Sequence, residues 1–203
     1  MNCVIHAIWL GKNMSPLSLT CIDDWLKQGY SVKLWTDADE EILSWIDSCY
    51  FAKECYKRGL FAFVTDYLRL KILHTYGGLY LDTDVTIRKN PFTLFENVNF
   101  SVGFESEKHL GTAIIYANNK SDILQKIINF YENEIMTSPL YMGPEIMTHF
   151  INRKVNNNPN EIALYPTEYF YSYKGDGKVF ATHDNSYLVH WFQHSWKDPK
   201  EVF

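Results

Sequence analysis

Two carboxylates one residue apart close the run Gly77-Gly78-Leu79-Tyr80-Leu81-Asp82-Thr83-Asp84-Val85, and this run constrains the chain more than any other. The paired glycines break the helical periodicity before them, residues 79–81 suit a buried strand, and Asp82-Thr83-Asp84 emerges where that strand stops. Asp and Thr are ordinary turn residues, so a surface turn is one reading. The other is a divalent metal and diphosphate site. Mg²⁺ and Mn²⁺ prefer oxygen ligands, and Mg²⁺ usually takes one or two protein carboxylates and leaves its remaining positions to phosphate and water.

A chain of 203 residues, 46% hydrophobic and 16% aromatic, is long enough for one substantial core, which predicts a single domain over 1–203. No stretch of eighteen apolar residues occurs, and the first twenty residues lack the basic start and small-residue cleavage site of a secretory signal. A cytoplasmic protein is expected. The net charge of −5, with scattered Lys and Arg, argues against nucleic-acid binding. Cys3, Cys21, Cys49 and Cys55 form no C-x-x-C pair and no zinc spacing with the histidines, which favours reduced thiols. The aromatic C-terminal residues Trp191, Phe192, Trp196 and Phe203 suit core packing better than membrane or partner docking.

The chain alternates between strand and helix patterns. Residues 3–10 read as a first strand, 17–27 as a helix with Leu19, Ile22 and Leu26 at helical spacing, and 31–35 as a second strand. Helical periodicity follows over 39–57 and 61–74, the second stretch stopping at Gly77-Gly78. Residues 85–88, 100–104, 112–116 and 162–165 suit further extended segments, and 121–134 and 145–154 further helices. This order predicts an α/β domain with a mostly parallel central sheet, whose ligands bind outside the carboxyl ends of the strands. Trp9-Leu10-Gly11, Trp35-Thr36-Asp37 and Asp82-Thr83-Asp84 all fall at such ends.

Asp66 and Arg69 stand three residues apart on one helix face. On a solvated face they would be a salt bridge worth only tenths of a kcal/mol. Their neighbours Phe61, Phe63, Val64, Leu68, Leu70, Ile72 and Leu73 make the helix apolar nearly all round, which predicts burial and a need for partners.

The run Phe61-Ala62-Phe63-Val64-Thr65-Asp66-Tyr67-Leu68-Arg69, followed by Tyr76-Gly77-Gly78-Leu79-Tyr80-Leu81-Asp82-Thr83-Asp84, resembles the DXD sugar transferases of glycosyltransferase family 32. That family includes bacterial capsular and exopolysaccharide transferases and is related to yeast mannosyltransferases and the catalytic domains of large clostridial toxins. Ile5-His6-Ala7-Ile8-Trp9-Leu10-Gly11, Gly103-Phe104-Glu105, Gly143-Pro144 and His190-Trp191-Phe192-Gln193-His194-Ser195-Trp196 are similar to further family segments, in the same order. The resemblance implies a GT-A fold, Rossmann-like, and a metal-dependent glycosyltransferase using Mn²⁺ or Mg²⁺. It implies a nucleotide-sugar donor, UDP foremost, a saccharide or lipid-linked glycan acceptor, and transfer with retention in polysaccharide or capsule biosynthesis. Work at the inner face of a membrane, or with a protein partner, fits such a role.

By the same resemblance Trp9 borders the base, Asp37 lies near the ribose, and Asp66 and Arg69 hold the donor sugar and leaving-group side. Tyr80 lines the pocket, Asp82 binds the nucleotide-sugar side of the metal site while Asp84 ligates the metal directly, and His190, Ser195 and Trp196 close over the diphosphate. His190 is either a further metal ligand or phosphate donor, or a histidine packed in an aromatic cluster. Trp191 and His194 depart from the family pattern, which commonly has a second histidine and a small residue there. Glu105 and Glu145 are acids to consider on the acceptor side, with no role assigned. Two rivals remain at this level. Asp82-Thr83-Asp84-Val85-Thr86 fits the D-x-D-x-T pattern of aspartyl-phosphate phosphatases, and a non-catalytic nucleotide-sugar binding module would use the same crevice.

Overall fold

Apolar strands long enough to be buried on both faces, joined by helices with one apolar stripe, leave a layered α/β arrangement as the way to hide both. The computed structural model describes residues 2–11, 13–152, 162–173 and 183–193. In chain order these form β1 Val4–Trp9, α1 Pro16–Lys27, β2 Ser31–Thr36, α2 Glu40–Ser48, α3 Tyr50–Lys57, α4 Phe61–Tyr76, β3 Gly78–Leu81 and β4 Val85–Ile87. A 3-10 turn over Pro91–Leu94 follows, then β5 Phe100–Phe104, β6 Leu110–Ala117, α5 Asp122–Asn133, α6 Gly143–Asn152, β7 Ile162–Tyr165, α7 Thr167–Phe170 and β8 Leu188–His190.

Among the described residues the central sheet has the order β2-β1-β3-β6-β5-β7. β1 runs parallel to β2 and β3, and β5 parallel to β7, while β6 is antiparallel to both β3 and β5. The predicted mostly parallel sheet is thus present, with β6 reversed in its middle. Next to it β4 and β8 form an antiparallel ribbon.

The two faces of the sheet carry separate cores. On one, Ile8, Tyr80, Val102 and Ile115 meet Ile42, Val64, Leu68, Leu124, Ile127 and Ile146 from α2, α4, α5 and α6. On the other, Ile5, Ala7, Leu79 and Leu81 meet Cys21 and Trp25 of α1, Phe92, Phe95, Phe170 and Leu188. The Trp25 indole N–H also donates to the Val85 carbonyl at 2.8 Å, tying α1 to β4. Trp191 and Phe192 pack on this second core, as core packing of the late aromatics predicts; Trp196 and Phe203 lie outside the described residues.

The predicted helix over 39–57 is divided. Cys49 takes an extended conformation between α2 and α3, and its buried thiol donates to the Tyr131 carbonyl of α5 at 3.4 Å. Helical spacing alone cannot show that break, because both halves keep the same apolar stripe. All four cysteines are free, Cys3 exposed and the rest buried. Among the described residues no helix is long and apolar enough to cross a membrane.

Gly77 and Gly78 let α4 turn directly into β3. Gly77 caps the helix at φ 64°, and Gly78 has φ 114°, a region open essentially to glycine alone. A Cβ on Gly78 would stand 2.7 Å from the Val4 carbonyl oxygen of the neighbouring strand. Gly29 also has positive φ, 87°, but nothing lies within 4 Å of its notional Cβ. We therefore expect Gly78→Ala to lose at least about 2 kcal/mol in urea unfolding, and Gly29→Ala only about 1 kcal/mol. Equal losses would contradict the close approach of β3 to β1.

Candidate active site

β3 delivers Asp82 at its carboxyl end, where the Asp82 amide still pairs with the Ala113 carbonyl at 2.8 Å. The chain then leaves the sheet and enters β4, whose partner β8 sets Val85 opposite His190 and Ile87 opposite Leu188. That register brings a side chain from the far end of the chain beside the acidic triplet. His190 Nε2 lies 3.3 Å from Asp84 Oδ1 and 4.0 Å from Asp82 Oδ2. Ligand atoms of Asp82, Asp84 and His190 all fall within 4.8 Å of one another.

Each carboxylate has one oxygen held by protein and one turned toward the imidazole. Asp82 Oδ1 accepts from the Tyr80 hydroxyl at 2.7 Å and faces Arg69 Nη1 at 3.3 Å. Asp84 Oδ2 accepts the Gln193 amide at 2.8 Å, while the Asp84 carbonyl accepts the Trp191 amide at 3.0 Å. Burial raises the Asp84 pKa, but the hydrogen bond and charge of His190 outweigh it and hold the carboxyl below its usual range. Burial likewise lowers the His190 pKa, and Asp84 then Asp82 and Glu105 more than restore it, so the net direction is up. His190 Nδ1 is buried without a partner among the described residues. The ring packs at 4.2 Å from Phe192 and edge-on at 5.7 Å from Tyr171. His190 therefore packs in the aromatic cluster and also lies where it could share a metal with Asp82 and Asp84.

Two carboxylate oxygens and one imidazole nitrogen make a donor set that suits a Mn²⁺ or Mg²⁺ ion. Their mutual separations admit one ion, and among the described residues the cationic neighbours of this acidic pair are Arg69 and, when protonated, His190.

Arg69, only 4% exposed, projects from α4 beneath this set. Its Nε donates to the Thr65 carbonyl at 3.0 Å, Nη1 to the Thr112 carbonyl at 2.6 Å and Nη2 to Thr65 Oγ1 at 3.1 Å. Asp66 lies 3.2 Å from Nη2, and the guanidinium sits 4.7 Å from the Tyr80 ring centre. Asp66 also accepts the Gly143 amide at the start of α6, and a Cβ on Gly143 would come within 2.6 Å of its Oδ1. Burial raises the Asp66 pKa despite Arg69.

The remaining predicted residues are placed as follows. Asp37, beyond β2, accepts the Gly11 amide at 3.0 Å and the Tyr56 hydroxyl at 3.2 Å, joining the ends of β1 and α3. Trp9, the last residue of β1, keeps a buried indole N–H with no partner among the described residues. Ser195 and Trp196, with His194, lie outside the described residues. Trp191 donates its indole N–H to Thr86 Oγ1 at 3.0 Å.

Glu105 follows β5, half-buried, with His190, Asp66 and Asp82 as its charged neighbours. Burial, opposed by His190 and reinforced by Asp66 and Asp82, pushes its carboxyl up to about 7. Glu145 is exposed in the first turn of α6.

Three contributors have no signature in sequence. Gln193 serves Asp84 through its backbone, and its side-chain carbonyl accepts from Ser15 Oγ at 3.0 Å, fastening the segment after β8 to the cap of α1. Ser18 meets Thr83 at 2.9 Å between hydroxyls, fixing the middle residue of the triplet. Thr112 meets Arg69 with a carbonyl, which any residue carries.

Residues 18–103 match the family described as a glycosyltransferase sugar-binding region containing a DXD motif. No curated protein sequence matches the chain. Among solved structures, the PaToxG glycosyltransferase is similar at 17% identity over 76% of this chain and 69% of its own, with a TM-score of 0.56. A glycosyltransferase involved in the glycosylation of the major capsid of PBCV-1 is similar at 12% identity over 99% and 98% of the two chains, TM-score 0.51. The apo-form glycosyltransferase GlyE of Streptococcus pneumoniae TIGR4 is similar at 12% over 96% of this chain and 55% of its own, TM-score 0.56. At these identities the likeness is one of fold, and that fold is GT-A. Asp82-Thr83-Asp84 thus lies inside the residues that match the DXD-containing glycosyltransferase region, on a fold similar to that of these glycosyltransferases.

Proposed function

We propose that the chain transfers a sugar from a nucleotide-sugar donor, UDP-linked by preference, to a hydroxyl of a saccharide or lipid-linked glycan, with retention and dependence on a divalent metal. The observation that carries this reading is the convergence of Asp82 Oδ2, Asp84 Oδ1 and His190 Nε2 at the carboxyl end of β3. Departure of a nucleoside diphosphate leaves negative charge on phosphate while the anomeric carbon becomes cationic. Mn²⁺ or Mg²⁺, held by Asp82, Asp84 and His190, supplies Lewis-acid stabilisation of that phosphate charge when bound.

The chain's own residues do the rest. Gln193 and Tyr80 keep one oxygen of each carboxylate occupied, so the open oxygens stay oriented before the donor arrives. The Trp9 indole N–H at the end of β1 is buried without a partner among the described residues, so a nucleotide oxygen reaching this strand end would give it one. Asp37 braces that strand end, with both its contacts to Gly11 and Tyr56 made within the protein. Glu105, its carboxyl pushed up to about 7, populates both protonation states near neutral pH and can either donate or accept a hydrogen bond with an acceptor hydroxyl. Retention and a polysaccharide role rest on the family resemblance.

A panel of UDP-, GDP- and CMP-sugars, scored by Mn²⁺-dependent thermal shift and by nucleoside diphosphate release, tests the reading. A UDP-sugar should both stabilise and turn over; affinity without turnover would mean a binding module. In the same assay Asp84→Asn should lose at least about 100-fold in kcat/KM, ~2.7 kcal/mol, with its circular dichroism unchanged. Wild-type rates in that variant would remove Asp84 from the site.

Metal-free protein gives a separate test at Glu105. A carboxyl raised to about 7 in the fold stabilises it fully below the unfolded pKa and loses that contribution as pH rises through the folded value. Partial exposure reduces the effect to about 1–3 kcal/mol. Glu105→Gln should therefore gain in Tm over wild type at pH 8 but not at pH 4.5. The same difference at both pH values would show that Glu105 titrates normally.

A further inference from the structure

We propose that Arg69 is a positioning residue that acts through Asp82, and that it does not bind the donor diphosphate itself. The inference rests on the metal reading above and deepens it.

The first ground is donor supply. A guanidinium has five N–H donors, and all three nitrogens of Arg69 already face protein acceptors. Nε meets the Thr65 carbonyl, Nη1 the Thr112 carbonyl and Asp82 Oδ1, and Nη2 Thr65 Oγ1 and Asp66 Oδ1. Three of the five donors make hydrogen bonds within the protein, and Nη1 and Nη2 also stand at ion-pair distance from Asp82 and Asp66, so a phosphate would have to displace one of these partners.

The second ground is access. The Arg69 side chain is 5% exposed, roofed by the Tyr80 ring on one side and enclosed by α4 and β6 on others. Asp82, at 28%, is the exposed member of the group. A ligand in the crevice meets Asp82 first.

The third ground is what Arg69 and Tyr80 do together. Both converge on the same oxygen, Oδ1 of Asp82, from the residue two before it and from the adjacent helix. Oδ2 is then the oxygen left to face His190 Nε2. Fixing one oxygen fixes the direction of the other, so the clamp orients a metal-ligating atom before any ion binds. Partners of this kind typically change metal affinity by about 10–100-fold when removed. Arg69 also holds Asp66 at its other end, and through Asp66 it reaches the first amide of α6.

The test separates metal from nucleotide. Mn²⁺ affinity of the nucleotide-free protein is read by electron paramagnetic resonance, and UDP affinity in EDTA by calorimetry. Arg69→Lys should weaken Mn²⁺ binding at least about tenfold, since an ammonium cannot reproduce the planar fork, while UDP affinity in EDTA stays within about twofold. Tyr80→Phe removes only the hydroxyl from the same oxygen, keeps the ring, and should weaken Mn²⁺ several-fold. It decides the matter if Arg69→Lys fails to fold by circular dichroism. Wild-type Mn²⁺ affinity in the folded variants, or a tenfold loss of UDP binding in EDTA for Arg69→Lys, would overturn the inference and leave the metal reading standing. No Mn²⁺ binding by wild type would overturn both.

Discussion

The site depends on one pairing, that of Val85 in β4 with His190 in β8. The central sheet can present Asp82 unaided, because β3 is buried and ends there. It cannot supply the rest. Only when the C-terminal strand pairs outside the sheet does an imidazole come within 3.3 Å of Asp84 and a backbone amide fasten its second oxygen. Two residues 105 or more apart in sequence then share one small volume. Trp25, donating to the Val85 carbonyl from α1, and Gln193, accepting from Ser15 at the cap of the same helix, brace both strands of that ribbon against one element.

Electrostatics gives the arrangement its purpose. Among the described residues Asp66, Asp82, Asp84 and Glu105 face only Arg69 and His190 as basic partners, so acids outnumber bases there. The imbalance shows in the carboxyl groups. Asp84, paired with His190, stays low, whereas Asp66 and Glu105, desolvated and near other acids, are raised. The proposed cation would gain from this: the open oxygens are already ordered, and the fold carries the cost of holding them together.

Much of this was legible in sequence, for definable reasons. Asp82-Thr83-Asp84 announces itself because polar residues ending an apolar strand break a periodic pattern, and Gly77-Gly78 because the turn from α4 to β3 excludes side chains. Burial of Arg69 followed from an all-round apolar helix. Other features rest on contacts that residue types do not encode. Gln193 and Thr112 act through backbone groups, the β4–β8 register needs the closed fold, and the reversal of β6 and the break at Cys49 leave apolar spacing unchanged. Glu105 stands out in sequence as an acceptor-side acid to consider, but only β5 places it among Asp66, Asp82 and His190.

The pairing claim meets its most direct test in anomalous diffraction from crystals grown with Mn²⁺ and UDP. The account predicts a single Mn²⁺ peak bonded to Asp82, Asp84 and His190 Nε2, with the β4–β8 ribbon closed beside it. A peak bonded to the carboxylates with His190 turned away, or no peak at the triplet, would contradict it.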